Sequence, residues 1–322
     1  MSPLRRHGFE RLGRPLMARL QGPALGAGLI TGAMLAFMVM QGFIKAADVP
    51  AGQAVFFRSF FALPVILLWL WHTGHLHDGL KTERWQSHAL RGIVGSTAMA
   101  LGFAGLVYLP LPEVTAIRFV TPIMLLVLAA IMLGERFRLF RMGAVLLGFG
   151  GVLIIIWPRL GGDLRDTATL GAMLTLGSAA LAALAQVFVK GMAGRESTAA
   201  IVFYFSLTAT ALGLATLPFG WDALAPWQAV YLVLSGFIGG VGQIMLTSSY
   251  RHADAGALAP FTYSSMLWSI LLGWLWFAEI PTAQMLLGSL IVIAAGAIIV
   301  WRERQLGKDE TARRKVRAKG LQ

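Results

Sequence analysis

The chain of 322 residues has no cysteine. Disulfides, thiol nucleophiles and Cys-ligated metal centres are thereby excluded. Charge is scarce too. Asp, Glu, Lys and Arg make up 13% of the residues, about half the share of a soluble domain. That is too little to cover a water-facing surface, so a soluble enzyme, a nucleic-acid binder and a disordered chain are all excluded. The N-terminus is basic from Arg5 to Arg19 but lacks the short apolar run and small-residue cleavage site of a signal peptide. No Asp, Glu or His lies near the middle of a long apolar run, where proton pumps and many symporters keep their relays.

Apolar residues are abundant, at 57%, with a mean hydropathy of +0.70. A bilayer core of about 30 Å needs about 20 apolar residues as helix. Ten segments qualify, near 24–45, 52–71, 89–109, 113–133, 142–157, 169–189, 198–218, 227–248, 256–277 and 283–301. Lipid offers the backbone no hydrogen-bond partner, so these runs must be helices. The fold class is therefore all-α integral membrane. The 37 glycines suit close helix packing in lipid. They concentrate in span 3 (Gly92, Gly95, Gly102, Gly105) and span 8 (Gly236, Gly239, Gly240, Gly242).

The net charge of +12 is placed rather than spread. Of 27 Lys and Arg, 22 fall on one side of the ten spans, in both tails, in loops that include Arg84, Arg136 and Lys190, and at the start of span 3 at Arg91. The positive-inside bias puts that side, and both termini, in the cytoplasm. Arg58 and Arg118 remain inside spans.

Leu133-Gly134-Glu135 and Phe277-Ala278-Glu279 each follow an apolar span and precede one ending in Trp157 or Trp301, at a common offset of 144 residues. The chain reads as five spans twice: a tail over 1–23, a first repeat over 24–157, a linker over 158–168, a second repeat over 169–301 and a tail over 302–322. Five is odd, so the second copy enters the membrane inverted. Inverted repeats place a binding site at their interface and supply two related conformations, one open to each side.

At these residues the chain resembles the drug/metabolite transporter superfamily, in its EamA-type ten-span branch. The likeness is carried by Phe56-Phe57-Arg58-Ser59-Phe60-Phe61-Ala62-Leu63-Pro64, Thr121-Pro122, Leu133-Gly134-Glu135-Arg136, Ala259-Pro260-Phe261-Thr262-Tyr263 and Gly273-Trp274 through Glu279. The resemblance implies a secondary carrier of small metabolites, with two EamA repeats around a central cavity. The subgroup it is most similar to holds riboflavin and S-adenosylmethionine carriers; drug and amino-acid exporters share the fold. Ala278 stands where the family often has Gly.

An ionisable group inside a span marks a site. Arg118 and Arg58 are therefore read as contacts for an anionic or zwitterionic part of the solute. Thr115, Arg118 and Pro122 are spaced to share one helical face. Thr262, Tyr263 and Ser265 supply hydroxyls from span 9, and Trp268 a ring for a flat ligand. Pro122 and Pro260 are expected hinges. Glu135 and Glu279 are expected caps of the helices that follow them. Lys45 and Glu113 flank the outer mouth, and Gln41 is one of several buried amides in need of a partner. Spans 3, 4, 8 and 9 are the expected cavity wall.

His72, His75, His77 and Asp78 could hold a metal in a membrane enzyme, but they read as a solvated loop, and no metal or cofactor is expected. A channel would show charge rings or a filter-like segment, and neither is legible. The expected partners are a small-molecule solute and membrane lipids, not nucleic acid; a homodimer is left open. The basic C-terminal tail is expected to contact anionic lipid.

Overall fold

The computed structural model describes residues 23–301, apart from 75, 77–78, 134–138, 161–165, 193–195, 250–251, 253–257, 259–260, 296 and 299–300. Pro260, Glu135, His75, His77, Asp78 and both basic tails lie outside the described residues.

Twelve α-helices carry the fold among the described residues. They are α1 (Pro23–Ala47), α2 (Ala51–Phe60), α3 (Ala62–His72), α4 (Trp85–Tyr108), α5 (Leu111–Arg118), α6 (Val120–Leu133), α7 (Leu139–Leu160), α8 (Thr167–Met192), α9 (Thr198–Leu214), α10 (Pro226–Ser249) and α11 (Ser264–Phe277), then α12 (Ala283–Ala295). Among the described residues, six spans are long and apolar enough to cross a bilayer by themselves, and α2 with α3 forms one of them. The remaining crossings are α5 with α6, α7, α11 and α12. Together they make ten transmembrane passes in two inverted groups of five.

Two passes bend for a stated local reason. Phe61 and Phe119 interrupt α2–α3 and α5–α6 as single turn residues, each in right-handed conformation. Each is followed three residues later by a proline, Pro64 and Pro122. A proline lacks the N–H that residue i−4 would accept and crowds that carbonyl. The carbonyls affected are those of Phe60 and Arg118, at the ends of α2 and α5. The expected single face through Thr115, Arg118 and Pro122 is therefore broken at Phe119. Pro122 sits in the first turn of α6, where proline is tolerated.

Packing repeats the pseudo-symmetry. The closest neighbours are α1 with α10 and α4 with α8. These are the first span against the eighth and the third against the sixth, which an inverted repeat of five makes equivalent. The helix ends agree, because Gln41-Gly42-Phe43-Ile44-Lys45 in α1 matches Gln186-Val187-Phe188-Val189-Lys190 in α8 at an offset of 145. Close approach demands glycine at two seams. A Cβ on Gly213 would lie 2.6 Å from the backbone nitrogen of Phe56, and one on Gly151 would lie 2.8 Å from the carbonyl oxygen of Gly288. Neither backbone can yield as a flexible side chain would, so α2–α9 and α7–α12 pack at glycine distance.

Around this core the outward surface is apolar. Leu68, Trp71, Ile131, Leu267, Trp274 and Ile280 are all exposed, the reverse of a soluble protein and the natural state of side chains that face lipid.

Candidate solute-binding site

An arginine at the centre of a membrane helix costs about 2.5–3.5 kcal/mol on insertion. Among the described residues, three arginines lie inside this bundle: Arg58, Arg91 and Arg118. Arg58 and Arg118 are each the eighth residue of a short helix, α2 or α5, about 10 Å from its start at 1.5 Å per residue. Both therefore sit in the last turn before a kink. The carbonyl end of a helix carries partial negative charge, which favours a cation there. The prolines that bend α2–α3 and α5–α6 thus help hold a guanidinium at depth.

Arg118 donates through Nη1 to Oε1 of Gln41 on α1 at 3.3 Å. Thr115, one turn earlier, donates to the carbonyl of Leu111 at 2.9 Å and approaches Met38 Sδ at 3.6 Å. Gln41 Nε2 in turn lies 3.8 Å from the same sulfur. Thr115, Arg118, Gln41 and Met38 are thereby brought together where α1 meets α5, with the α4 glycine Gly102 behind the guanidinium.

Arg58 faces elsewhere. It is 5% exposed, and its guanidinium stands 5.7 Å from the ring centroid of Phe205 on α9. Its Nε lies against Gly239 of α10. On the same ring, at 3.7 Å, lies the guanidinium of Arg91 from α4. Arg58 Nε and Arg91 Nε and Nη1 are buried with no hydrogen-bond partner. Counting Lys and Arg by side places Arg91 at the cytoplasmic start of span 3. The helix instead starts at Trp85, which carries Arg91 six residues inward. The signal was present: apolar residues flank Arg91 on both sides, and Arg84 is available for the rim.

From α11, Ser265 and Ser269 donate back to the carbonyls of Thr262 and Met266 at 2.8 and 2.9 Å. Their donor capacity is used within the helix, and each hydroxyl keeps acceptor capacity. Thr262 is also engaged. Trp268 Nε1 is buried and unpartnered. Tyr263 packs against Phe119. Trp274 and Trp276 are exposed.

One end of the bundle is latched. Lys45 Nζ meets Glu279 Oε1 at 2.5 Å and donates to the carbonyl of Leu109 at 2.7 Å. Glu279 Oε2 accepts the backbone N–H of Leu111 at 2.8 Å. Glu279 thus binds the first N–H of α5, a helix of the opposite half, rather than the helix that follows it in sequence. The turn that aims it runs through Ala278, in left-handed conformation at φ 52°. There the N–H of Ala278 bonds Trp274 and that of Glu279 bonds Gly273. A cavity of about 140 Å³ lined by Pro112, Glu113, Glu279, Thr282 and Met285 adjoins this latch. Ligand pockets run to about 300–1,000 Å³, so the cavity is a recess of the latch rather than a solute chamber.

At the other end, His88 Nε2 lies 3.3 Å from Glu196 Oε2, and Glu196 Oε1 accepts the N–H of Glu83 at 3.2 Å. Burial by itself raises the Glu196 pKa. Contacts with His88, Thr82 and the Glu83 N–H outweigh it and hold the carboxyl below its usual range.

The EamA-like transporter family matches this chain twice, over residues 23–157 and 169–301. The chain belongs to that family, and its relatives are transporters rather than enzymes. It is 27% identical to the pseudopaline exporter CntI of Pseudomonas aeruginosa (strain PAO1) over 82% of this chain and 91% of that protein. It is 26% identical to a riboflavin transporter of Vibrio cholerae, covering 89% and 97%. An S-adenosylmethionine uptake transporter of Rickettsia prowazekii is 26% identical, covering 79% and 84%. Among solved structures, a crystal structure matches with a TM-score of 0.63 at 17% identity, over 87% of this chain and 98% of its own; that likeness is one of fold.

Proposed function

We propose that this protein is a secondary carrier that moves a small metabolite across the bacterial inner membrane by alternating access, with both termini in the cytoplasm. The observation that carries the reading is Arg118: a cation deep in the bundle, at a helix kink, whose guanidinium is met by a neutral amide, Gln41, at 3.3 Å. A structural arginine in lipid is better served by a carboxylate. A neutral partner leaves its charge for a solute.

In this reading Arg118 and Arg58 hold a polar or anionic part of the solute, with Thr115, Thr262, Tyr263, Ser265 and Trp268 as further contacts. Pro122 and Pro260 act as hinges. Glu135 and Glu279 cap helix ends, and the Lys45–Glu279 latch keeps its face closed. The solute is a vitamin such as riboflavin, an S-adenosylmethionine-like compound or an amino-acid-like compound. The relatives' names support this range and include both uptake and export. The basic tails rest on anionic lipid, and the protein does not engage nucleic acid.

The test is counterflow in proteoliposomes loaded with flavins, adenosyl compounds or amino acids. Saturable counterflow of one class supports the carrier, and non-saturable flux defeats it in favour of a pore. For the transported solute, Arg118→Gln is expected to lower kcat/KM by about 10- to 100-fold, the worth of a charge-assisted hydrogen bond. Unchanged affinity and rate in that variant would remove Arg118 from the site.

A further inference from the structure

The buried polar atoms without a partner are concentrated. Among the described residues, once His88 is set aside because Glu196 meets its Nε2, five carry them: Arg58 and Ser59 on α2, Arg91 and Ser96 on α4, and Trp268 on α11. Four of the five lie on two helices that pack against each other. Buried polar groups in folded proteins are nearly always satisfied, so a cluster of orphans asks for a ligand.

Within this cluster, Arg58 and Arg91 approach the same aromatic ring, that of Phe205, at 5.7 and 3.7 Å. A ring face attracts cations but accepts no strong hydrogen bond. The two cations are also near enough to repel one another. No carboxylate among the described residues is paired with either. Two like charges, buried together without a counter-ion, are stable only when something else supplies the negative charge.

The second half of the chain supports a functional rather than a scaffolding role. Its corresponding helices, α9 and α10, contain no Lys or Arg. Packing of the inverted fold therefore does not require arginine at this depth.

We propose that Arg58 and Arg91, together across Phe205, form an oxyanion site that binds a carboxylate or phosphate group of the transported solute. The proposal deepens the carrier reading and names its substrate class as anionic metabolites. Guanidinium forks match the geometry of both oxyanions and donate in pairs. Arg58 comes from a kinked pass, so a shift at the Phe61 bend changes its distance from Arg91 and hence the grip on the anion.

The test uses the full-length protein in detergent, melted in citrate, inorganic phosphate or the uncharged amide acetamide at constant ionic strength. A ligand that binds the folded form raises its apparent stability with concentration. Citrate, phosphate or both are expected to raise the melting temperature saturably, and acetamide is not. Response to citrate alone assigns a carboxylate, and response to phosphate alone a phosphate. Arg91→Met is expected to abolish the response and to melt higher than wild type in the absence of anion, since it removes a buried, unbalanced charge. Arg91→Lys should restore part of the response, and Arg84→Gln, at the exposed arginine just before the same helix, should leave it intact.

The proposal is overturned if citrate and phosphate leave wild type unmoved. It is equally overturned if Arg91→Met responds like wild type, or melts lower without anion while keeping the response. Equilibrium melting does not require transport. Saturable counterflow with no anion response would thus sink this site and leave the carrier standing, and anion binding without counterflow would do the reverse.

Discussion

Phe119 and Tyr263 meet edge to face, with ring centroids 5.2 Å apart and planes at 76°. They are 144 residues apart, the offset that relates Glu135 to Glu279. Each is the turn residue immediately before a helix, α6 or α11, and each has right-handed backbone angles, φ −65° and −68°. Equivalent residues of two repeats touch where the pseudo-twofold axis passes between them. The axis of inversion thus runs through this aromatic pair, beside Arg118 in one half and Thr262 in the other. The shared scaffold differs there by one charge.

If that pair joins the halves, removing either ring should cost the same stability once. Phe119→Ala is expected to destabilise by about 3–5 kcal/mol, the range for buried aromatics. Tyr263→Phe, which keeps the ring, should melt near wild type. The double alanine variant should fall short of additivity by about 0.5–1.5 kcal/mol, the direct worth of an aromatic pair. Melting of wild type, Phe119→Ala, Tyr263→Ala and the double variant in one detergent completes the cycle.

The Lys45–Glu279 latch predicts a change of access. The two side chains are 16% and 13% exposed, so solvent screening lowers their pairing below the about 3–5 kcal/mol seen on breaking fully buried pairs. About 1–3 kcal/mol is expected. Lys45→Met should speed alkylation of an introduced Thr115→Cys by about ten-fold, as the closed face opens more often. Glu279→Leu should act more strongly, because it also strips the acceptor from the Leu111 N–H. An unchanged alkylation rate in both variants would show that the latch does not control entry.

Ala278 occupies a left-handed position, φ 52°, that favours glycine. An L-residue is strained there by about 1–2 kcal/mol. Ala278→Gly is expected to raise the melting temperature by a few degrees and leave the Lys45–Glu279 pairing in place. The chain must reverse here so that the following carboxylate reaches across to α1 and α5.

Acid should loosen the opposite end. The folded-state pKa of Glu196 lies below its ordinary value of 4.5. The unfolded chain therefore binds more protons in the window between the two values, and stability rises with pH across it. The contribution is complete above the ordinary value and is lost as pH falls through the lowered one. Glu196→Gln is expected to melt lower than wild type at pH 7 and to show a flatter decline between pH 5 and 3. Parallel curves for the two proteins would remove Glu196 as the acid-sensitive contact.

Much of the architecture was legible from residues alone, because lipid makes hydropathy decisive. Apolar runs of sufficient length have no alternative to helix, and the Glu and Trp spacing exposed the duplication. The sequence also marked Arg58, Arg118 and Pro122, since charge and proline inside an apolar run are conspicuous without coordinates. It misled at Arg91. A basic residue near a span end looks like a rim anchor unless the start of the helix is known to within a turn. The bend at Phe61 was also missed, although Pro64 signals it locally.

The sequence by itself thus determined the class, the ten passes and the doubling, all consequences of short-range chemistry in a solvent that forbids unpaired backbone. Tertiary structure alone decided which charges meet. Glu279 finds Lys45 across 234 residues, and Arg58 and Arg91 share the ring of a helix from the other half. Such pairings depend on how helices rotate and close against one another. That rotation is set by shape, by glycine at the seams and by kinks, and no single helix records it.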